Sequence, residues 1–414
     1  MDKQEVKNCQ NCYKDFIIEP EDFNFYEKMK VPAPTWCPEC RLVRRLASVN
    51  TWSLHWATCE KCEKRTLSIF NPRKNVRIFC PPCWWSDSWD GTEYGMDYES
   101  SKPFLEQVDE LARKTPWVAT ESLYTSLKNS EYSNGIAWSK DCYMAFWADF
   151  CESVYYSSIL NGLKYSSDCL RGWKSELCYE SIGFINNYRV FFSDECNECV
   201  DVWFSRNCYS CTNCFGCVNL KRKSYCILNK QYSKGEYEKL KATIIQDMKT
   251  RPYADKLGRE FSYGEFFPPE MSRFDYNESN AMRFFPKTKE EVLSMGYSWN
   301  DTESSIHQTD TKSEDLPDTI KETTDSILGK IVECANCKKG YKIVKGELNL
   351  LRKMGLPVPH ECPKCRENER FARMTRPGMY HRECMKCGDP IYTPYSPEDP
   401  RIVYCVKDYQ ALFL

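Results

Sequence analysis

Histidine is scarce in this chain, at 4 of 414 residues. His55, His307, His360 and His381 are scattered, and no Ser/His/Asp or paired-carboxylate constellation accompanies them. A phosphate-binding glycine motif is also missing. Together these absences argue against hydrolytic, nucleotide-dependent and general acid–base enzymes. No run approaches the roughly eighteen apolar residues that a membrane-spanning helix needs. The opening residues MDKQEVKNCQ contain no apolar signal-peptide stretch, from which a cytoplasmic location is expected. Charge of one sign is lacking too: the formal net charge is −2, which argues against coating nucleic acid by bulk charge. With 42% hydrophobic and 14% aromatic residues, the chain still has ample material for several folded domains.

What is abundant is cysteine, at 26 residues. In a reducing compartment such thiols are metal ligands or reduced core residues. Cys9, Cys12, Cys37, Cys40, Cys59, Cys62, Cys80 and Cys83 form four CxxC pairs. A CxxC turn presents two thiolates, and two such knuckles close a tetrahedral Zn²⁺ site. Sequential pairing is expected, with Cys9, Cys12, Cys37 and Cys40 in one site and Cys59, Cys62, Cys80 and Cys83 in the next.

The same pattern returns 325 residues later without insertion or deletion, at Cys334, Cys337, Cys362, Cys365, Cys384, Cys387 and Cys405. Asn11 meets Asn336, Lys28-Met29 meets Lys353-Met354, and CPECR meets CPKCR, so the chain holds an internal duplication. The eighth position departs: Asp408 stands where Cys83 stands in the first copy. Carboxylate can ligate Zn²⁺, so three to four zinc ions are expected. After each CPxCR knuckle a helix is expected, in a treble-clef arrangement. It would carry Arg41, Arg44 and Arg45 in the first copy and Arg366, Arg370 and Arg373 in the second. These arginines are candidate phosphate or partner contacts; the alternative is a solvated cationic face.

Between Ser139 and Cys226 the remaining cysteines follow another rule: Cys142, Cys151, Cys169, Cys178, Cys196, Cys199, Cys208, Cys211, Cys214, Cys217 and Cys226 are all separated by multiples of three. Almost every third residue in this region is small and nearly all are uncharged, while the intervening positions carry charges and large aromatics. A period of three fits neither an α-helix nor a flat strand. It fits a narrow β-solenoid with thiols inside, expected here as coils of about eighteen residues. The run Cys208, Cys211, Cys214, Cys217 has iron–sulfur-like spacing, but its shared inward register already explains it. Phe146, Tyr155, Trp173, Phe191 and Tyr209, flanked by Trp147, Tyr156, Tyr165 and Phe192, form an outer aromatic ladder. Such a face docks against its own chain or stacks on a ligand.

Ser101-Lys102-Pro103 opens a helix, and Ser233 with Glu236 forms a capping box before another that would cap the solenoid. The fold class is thus mixed, mostly β and irregular, with duplicated zinc-ribbon modules flanking a Cys-rich β-solenoid. Expected boundaries are a double zinc-ribbon module at 1–90, a helical connector at 91–130, the solenoid at 131–232, a helical cap and wrapping segment at 233–300, an acidic linker at 301–330 and a second double module at 331–414.

The stretches CQNCYKDFIIEPEDFNFYEKMKVPAPTWCPECR and CFGCVNLKRKSYCILNKQYSKGEYEKL resemble a family of uncharacterised zinc-ribbon proteins common in candidate-phyla-radiation bacteria. The resemblance spans the chain and implies structural Zn²⁺ and a cytosolic setting. It brings no activity with it. Three functions compete: a non-enzymatic zinc protein gripping RNA or DNA through its basic helices, a scaffold or assembly factor binding other proteins through solenoid and ribbons, and a thiol-dependent enzyme. Neither a small-molecule substrate nor a membrane partner is indicated.

Overall fold

The computed structural model describes residues 4–130, 132, 134–141, 163–164, 167–173, 175–176, 179–301, 308–372 and 380–412. Cys142, Cys151 and Cys178, with Phe146, Trp147, Tyr155, Tyr156, Tyr165, His307 and Arg373, lie outside these residues; Cys169, Trp173 and Arg370 are described through their backbone alone. The chain divides into two compact units, residues 1–282 with 287–302, and residues 283–286 with 303–414. Short sheets and few long helices make up both.

The centre of the first unit is a stack of parallel strands. Tyr188 lies opposite Val200, Val200 opposite Thr212 and Thr212 opposite Ser224; earlier strands Ser167–Trp173 and Tyr179–Ile185 continue the series. Each step is 12 residues, so the repeat is shorter than the eighteen or so expected. The cause is visible in the backbone. Every third residue from Asn186 to Leu228 has φ between 48° and 65°, in the left-handed region. Each such residue turns the chain, and the residue after it joins the inward row, with Lys223 the exception, paired with Asp90 at 2.7 Å. An L-residue there costs roughly 1–2 kcal/mol. Asn186, Asn207, Asn213, Asn219 and Gly216 lower that cost, and amide bonds between successive repeats oppose it, such as Val200 N–H to Cys211 O at 3.0 Å and Asn219 N–H to Arg206 O at 2.9 Å.

The inward row is closed off from the surface. Cys196, Cys199, Cys208, Cys211, Cys214, Cys217 and Cys226 are all buried beside Val190, Val202 and Leu220. Each thiol sits against a carbonyl two residues back: Cys199 donates toward Asn197 O at 3.2 Å and Cys211 toward Tyr209 O at 3.3 Å. Nine residues ahead lies a second acceptor, Cys208 O at 3.4 Å for Cys199 and Leu220 O at 3.4 Å for Cys211. Burial pushes the Cys196 and Cys208 thiols well above the ordinary range. Neutral thiols that donate to carbonyls behave as small hydrophobes. Among the described residues, none of the seven joins a set of donors able to hold a metal.

Outside the stack, the described members of the aromatic ladder, Phe191, Phe192 and Tyr209, pack against their own chain. Phe191, Phe192, Trp203, Phe204, Phe215, Ile227 and Leu228 share one core with Phe104, Val108 and Tyr263. Phe192 stacks on Phe204 at 4.8 Å between centroids, and Trp203 on Tyr263 at 6.1 Å. Gly216, at φ +65°, sits where an added Cβ would lie 2.3 Å from the Phe104 ring. The helix Phe104–Lys114 therefore approaches the stack where a side chain is missing. Tyr209 turns elsewhere, to Trp84 and Trp85 at 5.4 and 4.8 Å.

The last strand of the stack is closed by Lys230–Gln231, which pairs antiparallel with Ser224–Ile227. The helix Lys234–Thr250 follows, opened by the Ser233–Glu236 capping box, and buries Tyr237, Ile244 and Met248. Residues 253–276 then wrap the core with Phe261, Tyr263, Phe266, Phe267, Met271, Phe274 and Tyr276, all buried. One expectation changes at the stretch read as an acidic linker. Thr311–Lys312 pairs with Val332–Glu333, and Leu316 and Ile327 enter the core of the second unit with Val332, Tyr341 and Leu348. Residues 308–330 are thus part of that unit.

The packing account makes C211A mild, at about 1–2 kcal/mol, with unchanged metal content. C211R should unfold the first unit, because an unpaired charge would enter a buried interior. Denaturant unfolding with metal analysis checks this; equal damage from both variants, with an ion lost, would show the thiol to be a ligand.

Candidate metal centres

Four groups of donor atoms converge, each with all its members within 4.8 Å of one another: Cys9, Cys12, Cys37 and Cys40; Cys59, Cys62, Cys80 and Cys83; Cys334, Cys337, Cys362 and Cys365; and Cys384, Cys387, Cys405 and Asp408. The pairing is sequential in both copies. One local design builds all four. A hairpin delivers the first pair: Glu5–Asn8 with Asp15–Ile18, His55–Thr58 with Arg65–Ser68, Val332–Glu333 with Gly340–Tyr341, and Tyr380–Glu383 with Pro390–Thr393. The residue after the second Cys is left-handed each time, at Tyr13, Glu63, Lys338 and Gly388. Its amide returns to the first Cys carbonyl, at 2.9, 2.8, 3.1 and 2.9 Å.

The second pair comes from a helix start. Cys37, Cys80, Cys362 and Cys405 immediately precede the helices Pro38–Ala47, Pro81–Trp85, Pro363–Ala372 and Val406–Gln410. Proline at the first helical position of three of them needs no amide partner and pre-sets φ. The free amides at these starts aim at sulfur. The amides of Cys37, Cys80, Cys362 and Cys405 donate to Cys9, Cys59, Cys334 and Cys384 Sγ, each at 3.2 Å. Such bonds and the helix N-terminus favour thiolate over thiol.

Spacing between donors tests the fit to an ion. A tetrahedral centre with metal–sulfur bonds of about 2.3 Å has edges of about 3.8 Å. Cys12–Cys37, Cys62–Cys80, Cys337–Cys362 and Cys387–Cys405 measure 3.8, 3.7, 3.7 and 3.9 Å between sulfurs. Asp408 Oδ2 lies 3.2 Å from Cys384 Sγ and 3.3 Å from Cys405 Sγ, shorter edges that suit the smaller oxygen. The three thiols around Asp408, Cys387 foremost, hold its carboxyl down at about 2. In the first set Cys40 also receives a bond from Asn11 Nδ2 at 3.2 Å. Four-donor sets of this kind leave no coordination position for a substrate.

The arginines behave differently from the contact face expected of them. Arg41, Arg44 and Arg45 are 5%, 1% and 2% exposed. Arg44 pairs with buried Glu265 at 3.1 Å and lies over the Trp36 ring at 4.4 Å. The helix Pro38–Ala47 packs beside the strands Ser167–Trp173 and Tyr179–Ile185, so its cationic face is turned into the fold. In the second unit Arg366 pairs with Glu347, itself buried, at 3.0 Å. Glu265, Trp36 and Glu347 escaped notice in the sequence because their partners are defined by tertiary contact alone.

No protein-family model, curated protein or solved structure matches this chain. The donor geometry therefore defines the class by itself: a cysteine-rich protein with four prospective metal centres.

In the metal-free chain, burial resists ionisation of Cys59, but the amides of Cys80, Cys62 and Lys61 outweigh it and bring the thiol to about 7. A thiol depressed below its unfolded value stabilises the fold at higher pH, and that contribution disappears as pH falls through about 7. C59S should remove one ion per chain and destabilise the first unit by several kcal/mol. Native mass spectrometry together with thermal unfolding checks both; retention of the full metal complement would contradict the assignment of Cys59.

Proposed function

We propose that the protein is a zinc-binding, non-catalytic scaffold that recruits protein partners in the cytoplasm. Zinc is the metal that Cys₄ and Cys₃Asp tetrahedra suit best, since soft thiolates select it and its filled d shell accepts the geometry without preference. The four hairpin–helix units are read as treble-clef zinc ribbons and the 12-residue stack as a narrow β-solenoid. Seven unbridged thiols in its interior suit a reducing compartment.

The observation that carries the scaffold reading is a reversal of what the knuckles display. Their arginines in the first unit are buried, while apolar side chains are exposed. Tyr13 is 75% and Val406 74% exposed, and Val6, Trp56, Met385, Ile402 and Tyr409 are also on the surface. Protein interfaces enrich such side chains, whereas phosphate contacts require accessible cations. The RNA reading keeps Arg366, Arg370 and Arg373 as its candidates and loses Arg44 to Glu265.

Two measurements test the function. Elemental analysis of the purified chain should find three to four zinc ions and little iron. Anisotropy titration with mixed-sequence RNA should show no binding that falls steeply between about 50 and 200 mM salt. A slope equal to several phosphate contacts would replace the scaffold by the RNA reading, and fewer than two zinc ions would overturn both.

A further inference from the structure

The centre formed by Cys384, Cys387, Cys405 and Asp408 differs from the other three in chemistry and in support. Its ligand set exchanges one soft thiolate for a carboxylate, and zinc prefers the sulfur donor. The second carboxylate oxygen is engaged as well: Lys386 Nζ lies 3.6 Å from Asp408 Oδ1, a cation competing for the same group. Cys387 is exposed, while its counterparts Cys12, Cys62 and Cys337 are half-buried.

Packing is also thin here. The helix Pro38–Ala47 at the first centre buries Val43, Leu46 and Ala47, and Pro81–Trp85 at the second buries Trp84. The helix Val406–Gln410 at the fourth centre buries no residue. Val406, Tyr409 and Leu412 are exposed. The ligand cluster joins this helix to its hairpin, through Cys405 N–H to Cys384 Sγ at 3.2 Å and Asp408 Oδ2 beside Cys384 Sγ at 3.2 Å, with Met385 N–H to Val403 O at 2.9 Å just ahead of it; Asp408 N–H to Cys405 Sγ at 3.4 Å caps the helix itself. A helix that buries no residue of its own and carries a ligand gains order when the ion binds, because binding and folding share one free energy.

We propose that the Cys₃Asp centre is an exchangeable zinc site whose occupancy orders residues 380–412, beside three ions that stay bound. The proposal rests on the zinc reading given above and adds that one of the four sites follows zinc availability. Exposed Val406 and Tyr409 lie on the element that would order and loosen, so the site would control whether that surface is presented.

The full chain, with zinc counted by elemental analysis, is mixed with a chelator of moderate strength, 4-(2-pyridylazo)resorcinol, and release is followed by absorbance. About one ion per chain should leave at least tenfold faster than the rest. D408C, which completes a fourth thiolate set, should abolish the fast phase. D408A should hold one ion fewer from the start, with faster hydrogen exchange over 380–412 and unchanged exchange over 334–365. Release of all ions in one phase, a fast phase that persists in D408C, or a full zinc complement in D408A would overturn the proposal while leaving the zinc reading intact. A chain isolated without zinc would overturn both.

Discussion

A described cysteine sulfur in this protein has one of two settings, and the structure depends on keeping them apart. Fifteen sulfurs converge in four-donor groups with Asp408, where helix-start amides favour the thiolate. Seven others lie in the interior of the stack and donate to carbonyls. A thiolate in that interior would lack compensating charge, and a neutral thiol in a knuckle would not bind an ion. The separation is made by the backbone. Knuckle sulfurs face free amide donors at a helix start; stack sulfurs face carbonyls two residues back and nine ahead.

From this division follows the architecture of the first unit. Thiols are slim enough to fill a 12-residue repeat, which leaves the large aromatics no place but outside. Outside, they gather the helix Phe104–Lys114 and the segment around Tyr263 into one core that also reaches Cys9, Cys40 and Trp36. The first metal centre is thereby embedded in the same packing as the stack. Burial of Arg44 against Glu265 is part of that embedding, and a buried pair of this kind is strongly destabilising to break even where it adds little net stability.

Much of this was legible in the sequence, for reasons that also mark its limits. The four donor groups and their sequential order could be read because CxxC spacing is a local property of a tight turn. The inward row could be read because a left-handed residue at every third position imposes its own period on side-chain size. The length of the repeat could not: a period of three fixes the distance between corners and says nothing about how many corners close a turn. The orientation of Arg44 was hidden for a different reason, since Glu265 lies 221 residues away. Residues 308–330 read as linker by their acidic, Ser/Thr-rich composition, yet Leu316 and Ile327 suffice to anchor them in the second unit.

The division of sulfurs is tested most directly by X-ray absorption at the zinc edge on the purified chain. Fifteen sulfurs and one carboxylate oxygen shared by four ions should give a first shell of almost pure sulfur at about 2.3 Å, with a minor contribution near 2.0–2.2 Å. A shell dominated by nitrogen or oxygen would contradict the account by taking the ions away from the knuckle sulfurs, and iron with short iron–iron scattering in place of zinc would contradict it by replacing single-ion centres with a cluster.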